Sequence, residues 1–179
     1  AADHADDRGG AAGTDAVDGR PSFAELRKEV LAQHAATVPS KRRLRLSLVR
    51  SLLKAVQRPS ELSFALKEWR KRQIERFREH NPPSTVPPRE VDALLGACCR
   101  VGQPAEMVRL LSDETWRLWP SDRMLEKLLS ALREKPSASQ QSIVQLAQLY
   151  ERPGRADRLT SDAIAALLGA LASTHAEPS

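Results

Sequence analysis

Cys98 and Cys99 are the only cysteines of the 179-residue chain, and they are adjacent. Thiols can serve redox chemistry or bind metal. Neighbours on an α-helix point about 100° apart, so these two cannot share one metal ion without help. No Cys-x-x-Cys spacing and no nearby histidine supplies that help. At least one of them is therefore expected to be a buried structural thiol. The four histidines, His4, His34, His80 and His175, are scattered along the chain, as surface residues are. Asp113 and Glu114 are neighbouring acids that a solvated helix face accounts for. The sequence holds no glycine-rich phosphate loop, no GxSxG elbow and no HExxH pair. No catalytic residue, metal ligand, cofactor or small-molecule substrate is expected, and the chain is not expected to be an enzyme.

The feature with chemical potential is a block of positive charge. Residues 41–78 hold thirteen Lys/Arg against three Glu, a net of +10, whereas the whole chain carries only +5. Residues 1–20 sum to −3 and residues 79–179 to −2. On a helical wheel Arg43, Arg50 and Lys54 project within about 20° of one direction. Lys67, Lys71 and Arg78 form a similar row further on. Lys41, Arg42, Arg45, Arg70, Arg72 and Arg76 widen the block. Three partners suit it: water over two solvated helices, the phosphates of RNA, or acidic protein and anionic lipid. Phosphate contact would be insensitive to base sequence and sensitive to salt.

The elements that must carry this block are helical. Aromatic residues make up only 4% of the chain, so leucine and alanine must build the core. Strand-like alternation is absent, and the longest apolar runs are too short to span a bilayer. Residues 1–20 are rich in Gly, Ala and Asp and read as an acidic flexible arm. Their five Asp and two Arg are not the composition of an organelle-import peptide. Residues 21–179 form the folded part. A capping box at Ser22 and Glu25 opens a helix that runs to about Ala36. Leu44, Leu48, Val49, Leu52, Leu53 and Val56 mark the apolar stripe of a helix from Ser40. Ser60 is placed to cap the next helix, with Leu62, Leu66, Trp69, Gln73 and Phe77 facing inward. Further helices are expected at about 89–101, 104–116, 122–133, 140–150 and 161–172, joined by short Pro, Ser and Gly turns. Gly102 fits a helix stop and Pro104 a first turn.

Self-similarity orders these eight helices. The words LLKA at 52–55, LLGA at 94–97, LLSA at 128–131 and LLGA at 167–170 recur at steps of 42, 34 and 39 residues. Each lies in the first helix of a pair. The expected fold is an all-α solenoid of antiparallel helical hairpins at about 40–79, 88–117 and 121–151, closed by a last helix at 160–173.

The stretch VDALLGACCRVGQPAEMVRLL, residues 91–111, resembles the pentatricopeptide repeat through Leu94, Leu95, Cys99, Arg100, Gly102, Glu106, Leu110 and Leu111. The resemblance is good over about 85–133, weak over 138–172, and reduced to the hairpin layout in 40–78. It implies a pentatricopeptide-like fold and location in the mitochondrial matrix. The positions matching the family's base-facing residues are Asp92, Glu126 and Ala165. Two are acids and one has no polar group, so base reading is not expected. A narrower resemblance, over about 59–115, is to the matrix-side helical subunit Va of cytochrome c oxidase. The expected function is a non-catalytic structural subunit of a mitochondrial ribonucleoprotein, foremost the mitochondrial ribosome. It would contact ribosomal RNA phosphates through the basic helices and neighbouring proteins through its repeats. The alternative is a peripheral matrix-side subunit of a respiratory complex.

Overall fold

The computed structural model describes residues 20–36, 44–79, 85–116, 118–134, 136–151 and 159–175. The helices over these residues are α1 (Phe23–Ala35), α2 (Leu46–Ala55), α3 (Pro59–Glu79), α4 (Pro88–Arg100), α5 (Pro104–Ser112), α6 (Asp122–Arg133), α7 (Pro136–Tyr150) and α8 (Ser161–His175), with one 3-10 turn at Glu114–Trp116. No strand occurs among the described residues. All but Arg20 of the expected acidic arm lies outside them.

Local chemistry sets the helix ends. At α1 the expected capping box is present: Glu25 N–H donates to Ser22 Oγ and Ser22 N–H to Glu25 Oε2, 3.3 and 2.7 Å. This pairing also holds the Glu25 carboxyl below its usual range. Ser121 Oγ caps α6 and Thr160 Oγ1 caps α8, each filling one of the orphan N–H groups of a first turn. The Ser60 cap expected for α3 does not form. Ser60 is already inside the helix, and Glu61 accepts from the N–H groups of Gln57 and Arg58 instead, at 2.7 and 3.1 Å. α2 also departs from expectation: Leu44 and Arg45 are not helical, and Arg45 is the extended N-cap residue. The 3.6-residue periodicity could not see this, because Leu44 is buried at the expected place without being in the helix.

The bend between α4 and α5 follows the reading of Val91–Leu111. Gly102 has φ 67, a conformation costly to residues with a Cβ. Its N–H donates to the Cys99 carbonyl at 3.0 Å, and Gln103 N–H donates to the Cys98 carbonyl at 2.8 Å. This is the paired arrangement that ends a helix in a Schellman turn. Pro104 then opens α5, where its missing N–H costs nothing.

Three tandem helix pairs, α2–α3, α4–α5 and α6–α7, are followed by α8. First helices pack on one another in the order α2, α4, α6, α8; α5 packs on α7, and α1 covers α2. Three of the four recurring Leu pairs are buried in this packing. Leu52, Leu53, Leu94, Leu95, Leu128 and Leu129 are all essentially inaccessible to solvent. Arginines at two helix ends strengthen this stacking. Arg100, last in α4, donates from Nε to Val56 O (3.0 Å) and from a terminal nitrogen to Leu53 O (2.7 Å), satisfying carbonyls at the end of α2. Arg133, last in α6, reaches forward to Ala166 O on α8 at 3.3 Å.

Candidate nucleic-acid interface

α3 is the longest helix of the fold and carries half of the predicted face. Its inner stripe is the expected one: Leu62, Leu66, Trp69 and Gln73 are buried, and Phe77 is half-buried against the core. On its outer side Lys67, Lys71 and Arg78 are exposed. They project within about 40° of one direction. Ile74, 41% exposed, interrupts the row. Lys54 near the end of α2 and Arg45, the residue just before it, are exposed.

The rest of the block is divided by the fold. Arg72 is buried at 8% exposure and sits 3.6 Å from Glu75. Arg70 donates to Glu106 on α5 at 3.2 Å. Arg76 donates to the Thr85 carbonyl at 3.1 Å. Arg50 is half-buried, and its Nε is enclosed without an acceptor. Arg70, Arg72 and Arg76 therefore each make contacts within the protein that the sequence-based set did not anticipate. The signal for Arg72 and Arg76 was present in the stripe itself. Arg72 lies three residues after Trp69 and Arg76 three after Gln73, so both fall on the inner side of α3. Arg43 lies outside the described residues, as do Lys41 and Arg42. The helix expected from Ser40 is seen only from Leu46, with Leu44 and Arg45 outside it.

Two acidic side chains around α3, Glu68 and Glu90, are buried, while Glu75 and Glu79 are exposed. Glu68 is 3% exposed; its carboxylate meets His34 Nε2 at 2.7 Å and accepts from Lys71 Nζ at 3.1 Å. Glu90, 2% exposed, accepts from Gln73 Nε2 at 2.6 Å. Together with Arg70–Glu106, these contacts tie α3 to α1, α4 and α5. Buried charge of this kind persists only when hydrogen-bonded. The outward result is a hairpin whose exposed Arg45, Lys54, Lys67 and Arg78 make no ion pair among the described residues. Arg58, which helical periodicity leaves off the face, is exposed beside them at the start of α3.

The other candidates carry no reactive geometry. Cys98 and Cys99 are free thiols, one buried and one half-buried. Burial, helped by Cys99 and Glu106, pushes the Cys98 thiol up to about 12, and burial also raises Cys99. Neither environment generates the thiolate that a nucleophile or metal ligand needs. No cluster of three or more metal-binding side chains occurs among the described residues, and no described helix is long and apolar enough to cross a membrane. Asp113 and Glu114 are exposed, as expected, but lie past the end of α5, where Asp113 Oδ1 accepts from Thr115 N–H at 3.0 Å. Asp92 on α4, Glu126 on α6 and Ala165 on α8 are all exposed.

The Cys98 environment gives a pH dependence. Its folded-state pKa lies above the ordinary 9.0, so the unfolded chain ionises first as pH rises. The stabilisation is intact below about pH 9 and is lost progressively towards pH 12, with a slope of up to about 1.4 kcal/mol per pH unit. Urea unfolding at pH 8 and pH 10 should show a steeper loss for the native chain than for Cys98→Ala. Equal losses would mean that the thiol is not held in a buried neutral state.

Compared with known proteins, the chain matches no family model, no curated protein and no solved structure.

Proposed function

We propose that this protein is a non-catalytic structural subunit of a mitochondrial ribonucleoprotein, foremost the mitochondrial ribosome. In this reading its helices form a pentatricopeptide-like solenoid of hairpins, with α2 and α3 lying on ribosomal RNA and the later hairpins meeting neighbouring proteins. The observation that carries it is the set of exposed, unpaired cations Arg45, Lys54, Lys67 and Arg78 on one hairpin. Evenly distributed surface cations with nearby acids would suit any soluble helix. Here Glu68 is buried and Glu61 is held at a helix end, which leaves Glu75 and Glu79 as the exposed acids of α3 against the exposed Arg45, Lys54, Arg58, Lys67, Lys71 and Arg78, so the hairpin presents excess positive charge. Phosphates are the partner such an excess fits. The order of helix packing supports the solenoid, since each LLxA helix lies on the next. Exposed acids at Asp92 and Glu126 support contact with the phosphate backbone over base reading.

The test is sedimentation of the tagged protein from detergent-solubilised mitochondria, with and without RNase. Migration with a ribosomal subunit, shifted by RNase, is the expected result. Migration with cytochrome oxidase activity, unchanged by RNase, would overturn the reading and favour the subunit Va resemblance, with the cations facing acidic protein or lipid.

A further inference from the structure

The protein has three Trp, three Phe and one Tyr, and all seven are buried or half-buried. On the basic hairpin Trp69 is fully enclosed and Phe77 is half-buried against the core. Phe64, also half-buried, meets the Phe23 ring edge-on with centroids 6.2 Å apart, and the Arg27 guanidinium sits 5.1 Å from its own centroid. Among the described residues, then, no exposed aromatic ring stands beside Lys67, Lys71 and Arg78.

The helix that carries these cations is long and firmly held. α3 has 21 residues and is about 30 Å long. The contacts of Glu68, Gln73 and Arg70 fix it to α1, α4 and α5. The row from Lys67 to Arg78 covers about 16 Å of it. Its exposed acids, Glu75 and Glu79, project about 80° and about 120° from Lys67, to the side of the row. Ile74, 41% exposed, stands between Lys71 and Arg78. Where a ring could stack on a base, the row carries an aliphatic side chain.

Single strands and duplexes of RNA ask for different surfaces. A single strand is held by a basic groove together with aromatic rings on which its bases stack. A duplex keeps its bases stacked internally and offers phosphates and 2′-hydroxyls on a rigid outer surface. It also carries about twice the charge of a single strand per unit length. We propose that the exposed face of α3 takes double-stranded RNA along its sugar–phosphate backbone and discriminates against single strands. The proposal rests on the RNA reading given above and names the class of RNA.

Counterion release sets the size of the preference. Each phosphate contact contributes about 0.9 to the slope of log K against log salt on a duplex and about 0.7 on a single strand. For about four contacts the two slopes differ by about 0.8. With no stacking to offset it, that difference opens a gap of about tenfold between about 1 M and about 50 mM salt.

The test titrates the full chain, by fluorescence anisotropy, into a labelled RNA duplex of about 20 base pairs and an unstructured single strand of the same length at low salt. The duplex is expected to bind about tenfold more tightly. Ile74→Trp, which places a ring in the row, is expected to tighten the single strand by about fivefold or more and to leave the duplex within about twofold. Circular dichroism establishes that the variants are folded. A single strand bound as tightly as the duplex overturns the proposal and leaves the RNA reading standing, and so does a preference that Ile74→Trp fails to narrow. Duplex affinity unaffected by Lys67→Glu with Arg78→Glu would place the RNA elsewhere on the chain and overturn the proposal as well. Binding to neither RNA overturns both the proposal and the reading beneath it.

Discussion

Replacing Trp69 by alanine is expected to destabilise the protein by about 3–5 kcal/mol, the cost of removing a fully enclosed aromatic side chain. Trp69 is completely buried in α3 and packs on Trp116, with ring centroids 5.2 Å apart and planes tilted by 55°. Trp116 follows α5 in a 3-10 turn. The pair therefore joins the first hairpin to the second at a point where α3 otherwise reaches α4 and α5 mainly through side chains. A cavity there would loosen the base of the whole basic hairpin. Native domains are stable by only about 5–15 kcal/mol, so the loss would lower the melting temperature by roughly 10 °C or more in a chain of this size. Trp69→Phe should recover most of it, because Trp69 Nε1 is buried without an acceptor and phenylalanine leaves no donor stranded. Denaturant titration decides the matter: a loss below about 1 kcal/mol for the alanine variant would mean that this joint is loosely packed.

The second large effect concerns binding. Changing Lys54, Lys67 and Arg78 together to glutamate is expected to weaken binding to a structured RNA by about 100-fold at low salt. The slope of log K against log salt should fall by about 2 to 3, as three phosphate contacts are lost. These residues are chosen because they are exposed and unpaired, so reversing them leaves the core intact. Arg50 and Arg72 are unsuitable for this purpose, since one has an enclosed Nε and the other is buried. Lys71 is unsuitable too, because a glutamate there would face buried Glu68. Reversal of Arg123 and Lys127, exposed on α6, serves as the control and should leave the salt slope unchanged. Equal losses from both sets would show that only net charge matters; no loss from either would remove the RNA reading.

Much of the fold is legible in the sequence because helices announce themselves locally. The stripe of Leu48, Val49, Leu52 and Leu53 marks α2, Ser22 with Glu25 marks the start of α1, and Gly102 with Pro104 marks the bend at the cysteines. All of these depend on residues a few positions apart, whose geometry a 3.6-residue period fixes. The start of α2 is less legible. Leu44 keeps the apolar spacing while lying outside the helix, and spacing alone cannot tell a helical residue from an extended one that is also buried. The cap of α3 is hidden for a similar reason: Ser60 has the preferred residue type, but Glu61 reaches back to the free N–H groups.

The sequence by itself determined that the chain is helical, where its helices bend, and that its positive charge is concentrated between residues 41 and 78. Those properties follow from composition, periodicity and capping, which act over one or two turns. Tertiary structure alone decided which of the cations take partners inside the protein. Arg70 is drawn to Glu106 on α5, Lys71 to a buried Glu68 shared with His34 on α1, and Arg72 into the interior. It also decided that one LLGA word is enclosed and its twin on α8 is half open. The physical reason is the same in each case. A side chain's partners across a helix joint come from residues tens of positions away, and burial depends on what those residues bring to the joint, which no local pattern records.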